Sequence, residues 1–236
     1  WVIAHRGASA AFPENTTAAF RGAGALGADA VELDARRTAD GEAVVHHDAV
    51  VPGVGAIVGL TAASLRRRAP WVPTLAEALE ACAGMWVDVE VKNSPADPDW
   101  DPEDRLVDRV LETLRAGSRE VLLTSFNPAT IARARTLDPI LPTGWLVEMA
   151  PLLPALAGAA ADNHGFLLPH YSLLAGRAAG AAVAAARQEG IRLIAWTVDD
   201  PAESRRLAAA GLDGIVTNRP DALRSVLDEH RHDDGG

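Results

Sequence analysis

AVELDAR, residues 30–36, is a short apolar run that carries Glu32 and Asp34 toward its end. Residues two apart on an extended strand point to the same side, so this strand sets two carboxylates next to each other. Working outward, the same arrangement recurs. WVIAHR (1–6) ends in His5 and Arg6, AVVHHD (43–48) in His46, His47 and Asp48, and WVDVEVKN (86–93) in Glu90 and Lys92. A solvated surface would scatter such residues. A repeating strand–helix barrel instead gathers the ends of its parallel strands at one mouth, where barrels of this kind do their chemistry.

Further apolar runs predict strands near 1–4, 30–33, 86–91, 121–124, 143–147, 165–168, 193–197 and 214–217. Several are nearly continuous in Val, Ile and Leu, as parallel strands buried on both faces require. Helical patterns lie between them, near 16–26, 75–83, 102–116, 128–136, 175–190, 201–210 and 220–230. Pro102, Pro128, Pro201 and Pro220 open helices where a missing N–H costs nothing, and Gly27, Gly117, Gly190 and Gly211 close them. The stretch 151–161 is the weakest helix because two prolines interrupt it. Eight strands with intervening helices and right-handed crossovers predict a TIM-like (β/α)8 barrel, one domain over residues 1–236. Its main irregularity is a compact insertion after the second strand, 49–73, expected at the mouth as a loop with a short helix. Arg66, Arg67 and Arg68 within it read as a solvated helical face.

Composition narrows the function. A chain of 236 residues with 48% hydrophobic content can bury a full core, and a net charge of −10 argues against general binding to nucleic acid or anionic membranes. A small phosphate substrate stays compatible, since a metal and a few cations create a local positive pocket. Cys82, in the apolar stretch LEACAG, reads as a small core residue. No run approaches the length of a membrane span, and a cytoplasmic location with no stable membrane association is the matching expectation. His230 and His232, near acidic residues at the C-terminal end, read as part of a frayed terminus.

The chemistry follows from residue types. Glu32, Asp34 and Glu90 are three carboxylates with no cysteine nearby, a donor set that selects a hard divalent cation: Mg²⁺ or Ca²⁺, with Mn²⁺ also suitable. His5 and His47 are the acid/base candidates, because a phosphodiester needs one group to take a proton from the nucleophile and another to protonate the leaving alkoxide. His46 is the outward neighbour of His47, since adjacent residues on an extended segment face opposite ways. Arg6 and Lys92 are phosphate ligands, or ion-pair partners inside the carboxylate cluster, and the two roles can coexist.

Taken together, the chain resembles the glycerophosphodiester phosphodiesterase family. AHRGASAAFPENTTAAF (4–20) is similar to that family's start, and VELDARRTADGEAVVHHD (31–48) to its E-x-D strand and following His-Asp pair. VPTLAEAL (72–79), VDVEVKN (87–93), LLTSFNP (122–128), IAWTVDD (194–200) and GLDGIVTNRPD (211–221) extend the likeness over nearly the whole chain. The resemblance implies a TIM-like barrel with His5 and His47 in acid/base catalysis, Glu32, Asp34 and Glu90 on a divalent metal, and Arg6 and Lys92 on the phosphate. It adds Glu14 and Asn15 of the PEN segment as supports of the metal site, and Phe126 and Trp196 as walls for the glycerol carbons. The implied substrates are small glycerophosphodiesters such as glycerophosphocholine and glycerophosphoethanolamine, cleaved to glycerol 3-phosphate and an alcohol.

Two departures stand out. AVVPGVGAIVGLT (49–61) replaces the family's usual leucine and Arg-Thr pair after the His-Asp, and Asp199 stands where Asn is frequent. Two rival readings stay open on the residues alone. One is a lysophospholipase D or related phospholipase on the same barrel; the other is a glycerophosphodiester-binding protein without catalysis.

Overall fold

The computed structural model describes residues 1–116 and 120–233, with backbone only from 230 onward. Gly117 and the side chains of His230 and His232 lie outside the described residues. The chain begins β1 (Val2–His5), α1 (Thr17–Ala25), β2 (Ala30–Arg37), β3 (Ala43–Val45), β4 (Val50–Val51), β5 (Gly55–Ala56), α2 (Ala62–Arg68), α3 (Leu75–Ala81) and β6 (Trp86–Val91). Regular alternation follows: α4 (Arg105–Arg115), β7 (Val121–Ser125), α5 (Pro128–Leu137), β8 (Thr143–Val147), α6 (Leu152–Ala161) and β9 (Phe166–Pro169). It ends with α7 (Ala178–Glu189), β10 (Arg192–Ala195), α8 (Pro201–Ala209), β11 (Gly214–Thr217) and α9 (Pro220–Asp233).

Eight strands pair in parallel in the order β1-β11-β10-β9-β8-β7-β6-β2, and β1 pairs with β2 to close the ring. This is the predicted TIM-like barrel. β3 runs antiparallel along the end of β2, and β4 and β5 form a separate hairpin. The insertion therefore has its own small core, in which Val51, Ile57, Leu65, Ala69 and Val72 pack on Val44. Arg66 at the end of α2 reaches Glu77 at 2.5 Å, and all three arginines of the run are exposed, as a solvated face requires. Among the described residues no helix is long and apolar enough to cross a membrane.

Strand periodicity divides the side chains between two layers. Val31, Leu33, Val87 and Val89 face outward and pack with Phe20, Leu75, Val107, Leu111 and buried Cys82 from the helices. Ile3, Ala30, Leu122, Leu146, Leu168, Ile194 and Val216 face inward and form an apolar floor. One step further along the same inward rows come His5, Glu32, Asp88, Thr124 and Trp196, which line a cavity. The barrel interior is thus apolar below and ionic above, with the boundary one residue pair along each strand.

Two helix boundaries differ from expectation for local reasons. Pro102 sits in a turn and α4 starts at Arg105, because the Asp101 carboxylate accepts from the Glu103 and Arg105 N–H groups and Asp104 takes a left-handed conformation. Conversely, α6 is an intact helix. Pro151 is its N-cap and Pro154 falls in its first turn, where backbone N–H groups have no intrahelical partner. Gly27, Gly190 and Gly211 take positive φ just beyond their helices, as predicted.

Gly7 follows the first catalytic candidates and has φ +80°; a Cβ there would stand 2.6 Å from the Ala19 carbonyl carbon. Gly7→Ala is expected to destabilise the protein by about 2 kcal/mol, through left-handed strain and the clash with helix backbone. Gly180, exposed inside α7 with nothing within 4 Å, is the control. Gly180→Ala is expected to stabilise by about 0.5–1 kcal/mol. Urea midpoints of the two variants, moving in opposite directions, check the pair.

Candidate active site

The mouth is built by strand register. His5 aligns with Glu32 across β1 and β2, while Glu32 aligns with Asp88 and Asp34 with Glu90 across β2 and β6. His5, Glu32, Asp88 and Glu90 share a cavity of about 280 Å³ with Arg6, His47, Lys92, Thr124, Phe126, Glu148 and Trp196, and Asp34 lies buried beside it. An outer cleft of about 610 Å³ continues from it, sharing His47, Glu90, Lys92, Phe126 and Glu148 and adding Asp48 together with Ala49 and Val50 from the insertion.

The loop after β1 is conformationally demanding. Arg6 has φ 55°, and Asn15 has φ 55° as well, both in the left-handed region. Asn15 is buried and brackets Asp34: its amide donates to Asp34 Oδ2 at 2.7 Å, and its carbonyl oxygen accepts from the Asp34 N–H at 3.4 Å. Its own N–H donates to the Arg6 carbonyl at 3.0 Å. Such backbone positions persist where surrounding contacts over-determine them, and they concentrate at functional sites. Glu14 is half exposed at the rim and takes both of its hydrogen bonds from Arg6 Nη1 at 3.0 Å. Glu14 thus holds Arg6, and Asn15 holds a carboxylate.

Charge in the cluster is unbalanced. Glu32, Asp34, Asp88 and Glu90 are all buried, and the neighbouring cations are Arg6 and Lys92. Lys92 Nζ lies 2.7 Å from Glu90 Oε1 and 2.9 Å from Asp34 Oδ1, while Arg6 Nε lies 3.3 Å from Asp34 Oδ2. Burial works to raise the Asp34 pKa, but Lys92 and then Arg6 outweigh it and hold the group well below its usual value. Burial pushes Glu90 up to about 7 against the pull of Lys92, and pushes Asp88 up to about 8. Glu32 is raised well above the usual range by burial and then by Asp34, Glu90 and Asp88. Lys92, despite its burial, is held above its usual value by Glu90 and Asp34.

That excess of carboxylate is a fit test for a cation. One ligand oxygen each from Glu32, Asp34 and Glu90 lies within 4.8 Å of the others. Oxygens on opposite sides of a hard cation stand about 4–5 Å apart, given metal–oxygen bonds of about 2.0–2.6 Å. The donors are all oxygen, as a hard divalent cation prefers. These residues can hold a metal.

The two histidines are mounted differently. His47 Nδ1 lies 2.7 Å from Asp48 Oδ1. A carboxylate only accepts, so the ring's proton sits on Nδ1 and Nε2 keeps its lone pair. His46 turns away from the cavity and places Nδ1 2.8 Å from the Asp48 carbonyl oxygen. His5 Nδ1 meets Asn218 Oδ1 at 2.7 Å, and its Nε2 stands 3.9 Å from Glu32 Oε2. Burial lowers the pKa of both His5 and His47; Arg6 adds to this at His5, and at His47 Asp34 opposes it.

Phe126 and Trp196 form an edge-to-face pair with centroids 5.3 Å apart, and Trp196 Nε1 donates to the Leu168 carbonyl at 2.7 Å. Both pack on the barrel floor and line the cavity, so Trp196 belongs at once to the core and to the cavity wall. Sequence reasoning overlooked Asp88, Thr124, Glu148 and Asn218. Asp88 lies two before Glu90 on the same inward row; its Oδ1 accepts from the Thr124 hydroxyl at 2.7 Å. Following the period of two through each strand end would have found all four.

The raised carboxylates make a prediction for metal-free protein. Between their ordinary range near 4 and the raised values of about 7 and about 8 for Glu90 and Asp88, the folded state binds more protons than the unfolded one. Stability therefore falls as pH rises through the upper part of that window, whereas the depressed Asp34 acts with opposite sign only below it and the lowered His5 and His47 only below about pH 7. In chelator, Tm is expected to decrease between about pH 7 and about pH 8, and added Mg²⁺, Ca²⁺ or Mn²⁺ to raise Tm more at the higher pH. Calorimetry at matched ionic strength checks both signs, and a metal response larger at the acid end would contradict the charge assignment.

The glycerophosphoryl diester phosphodiesterase family matches residues 5–222. A glycerophosphodiester phosphodiesterase of Caldanaerobacter subterraneus subsp. tengcongensis is 30% identical over 250 aligned residues, covering 96% of this chain and 97% of that protein. One of Bacillus subtilis is 28% identical, covering 95% and 85%. An Oleispira antarctica phosphodiesterase, solved in complex with its product sn-glycerol-3-phosphate, superposes with a TM-score of 0.84 at 26% identity, covering 96% of each chain. Family match, shared length and a common barrel agree: this chain belongs to the glycerophosphoryl diester phosphodiesterase family.

Proposed function

We propose that the protein hydrolyses small glycerophosphodiesters, such as glycerophosphocholine and glycerophosphoethanolamine, to glycerol 3-phosphate and the free alcohol. The observation that carries this reading is the pair of imidazoles on one cavity. His5 and His47 each commit Nδ1 to a partner behind the ring, Asn218 and Asp48, beside a buried carboxylate cluster. The product bound in the Oleispira antarctica structure supports the identity of the phosphate fragment.

Glu32, Asp34 and Glu90 would hold one divalent cation, Mg²⁺ or Ca²⁺, with Mn²⁺ as a third candidate. When bound, such a cation supplies Lewis acidity at a phosphoryl oxygen and lowers the pKa of the nucleophile, water or the substrate's own 2-hydroxyl. Arg6 and Lys92 line the same cavity and contribute positive charge where the transition state concentrates negative charge. One histidine removes the proton from the nucleophile and the other protonates the departing alkoxide. Phe126 and Trp196 offer an apolar wall to the glycerol carbons, and the cavity of about 280 Å³ accommodates a compact polar head better than an acyl chain. The outer cleft receives the alcohol, bordered by Asp48 and by Ala49 and Val50 of the insertion that departs from the family pattern.

The test is release of glycerol 3-phosphate from glycerophosphocholine with chelator, and then with each divalent ion restored. Activity is expected to vanish in chelator and to return with one ion. His5→Ala and His47→Ala are each expected to lower kcat by about 10²–10⁴-fold while thermal melts stay cooperative. Near-normal turnover in either variant removes that histidine from the chemistry. No product with any ion, but turnover of lysophospholipids, replaces the proposed substrate class with a lipid one.

A further inference from the structure

Behind His5 lies a hydrogen-bonded chain that ends on Asp199, the residue at which this sequence departs from the frequent Asn. Asp199 receives the Thr217 hydroxyl at 2.9 Å and the Asn218 backbone N–H at 2.8 Å on Oδ1, and the Asn218 side-chain amide at 2.6 Å on Oδ2. With three donors aimed at it, this carboxyl group acts as an acceptor throughout. Asn218 can face it only with its NH2 end, because the opposite orientation would press an amide oxygen against a carboxylate oxygen. The Asn218 oxygen therefore turns to the other side, where it meets the Ser9 hydroxyl at 2.7 Å and His5 Nδ1 at 2.7 Å. An amide oxygen has two lone pairs and no proton, so both neighbours must donate to it. His5 then carries its proton on Nδ1 and keeps the Nε2 lone pair, on the side of Glu32 and the cavity.

We infer that Asp199 is a positioning residue that fixes the tautomer of His5 through the amide of Asn218. The chain does for His5, at one remove, what Asp48 does for His47 by direct contact. Neither Asp199 nor Asn218 touches the reacting atoms in this scheme. Each controls which imidazole nitrogen is available for proton transfer. With Asn at position 199, the Asn218 backbone N–H would hold the amide oxygen at the place of Oδ1 and leave NH2 facing the Asn218 side chain. The Asn218 amide could then flip and leave His5 with its proton on Nε2, the wrong nitrogen. Carboxylate in place of amide makes the orientation single-valued. The inference rests on the proposed acid/base role of His5 for its kinetic consequence, but its structural content stands apart from that role.

The experiment is ¹⁵N NMR of histidine-labelled full-length protein in chelator at about pH 8, where ordinary imidazoles are neutral. The His5 signals are identified by their loss in His5→Gln. In the unmodified protein His5 is expected to give a protonated Nδ1 and an unprotonated Nε2. Asp199→Asn, nearly isosteric, is expected to move both His5 shifts toward those of a tautomer mixture. It should lower kcat for glycerol 3-phosphate release by about 10- to 100-fold with KM changed less than about threefold, the range for orienting groups behind a reactive ligand. Asn218→Ala should do the same, and Ser9→Ala, which removes a donor without freeing the amide, should leave the tautomer unchanged. Thermal melts guard against loss of fold in Asn218→Ala, and Asp199→Asn carries the test if that variant unfolds. A protonated Nε2 on His5 in the unmodified protein, or unchanged His5 shifts and kcat in a folded Asp199→Asn, overturns the inference. Absence of any turnover together with the expected shifts would instead overturn the substrate reading and leave the tautomer assignment standing.

Discussion

Everything at the mouth depends on the pairing of β1 with β2, which closes the barrel and sets His5 level with Glu32. The next pairing, β2 with β6, sets Glu32 level with Asp88 and Asp34 level with Glu90. Side chains alternate with a period of two, so a slip of one residue in either ladder would turn the carboxylates into the helix layer. There they would displace the positions of Val31, Leu33, Val87 and Val89, which pack on the helices. The apolar outer layer thus enforces the register on which the ionic inner layer relies. The floor of Ile3, Ala30, Leu122, Leu168 and Val216 closes the lower end, so the ionic groups have one way out, toward the cavity.

Such a site is expensive for the folded state. Buried carboxylates lose hydration, and their mutual repulsion adds to that loss unless cations and donors are close by. Here Lys92 lies between Asp34 and Glu90, Asn15 brackets Asp34, Thr124 serves Asp88, and the Arg6 N–H donates to Glu32 at 3.0 Å. What remains is an excess of negative charge that another cation can neutralise. The left-handed backbone at Arg6 and Asn15 belongs to the same arrangement, because it brings a guanidinium and an amide onto one buried carboxylate. Strain, desolvation and metal affinity are therefore properties of one cluster.

The two histidines reach the cavity from unlike supports. His47 comes from the segment after β3 and leans on the carboxylate next to it in sequence. His5 ends a barrel strand and depends on a residue more than two hundred positions away, since its partner Asn218 follows β11, the strand paired with β1. Barrel closure is what makes that second support available. The outer cleft, by contrast, draws on the insertion, whose small separate core lets the walls of that cleft differ while the barrel stays constant.

The eight strands, the helices between them and the residues Glu32, Asp34, Glu90, His5 and His47 were legible in the sequence, because a period-two pattern and short apolar runs are local properties of the chain. The start of α4 and the integrity of α6 were not, since they depend on where Asp101 caps and on which turn of the helix a proline occupies. Nor was the division of labour among the charges. Lys92 between two carboxylates, Glu14 spent on Arg6, and Asp88 as a fourth buried acid follow from distances between strands that sequence order does not encode. The link from Asp199 through Asn218 to His5 is the clearest case. Asp199 and Asn218 each stand in plain view in the chain, but only closure of the barrel brings the last strand beside the first and gives His5 its partner.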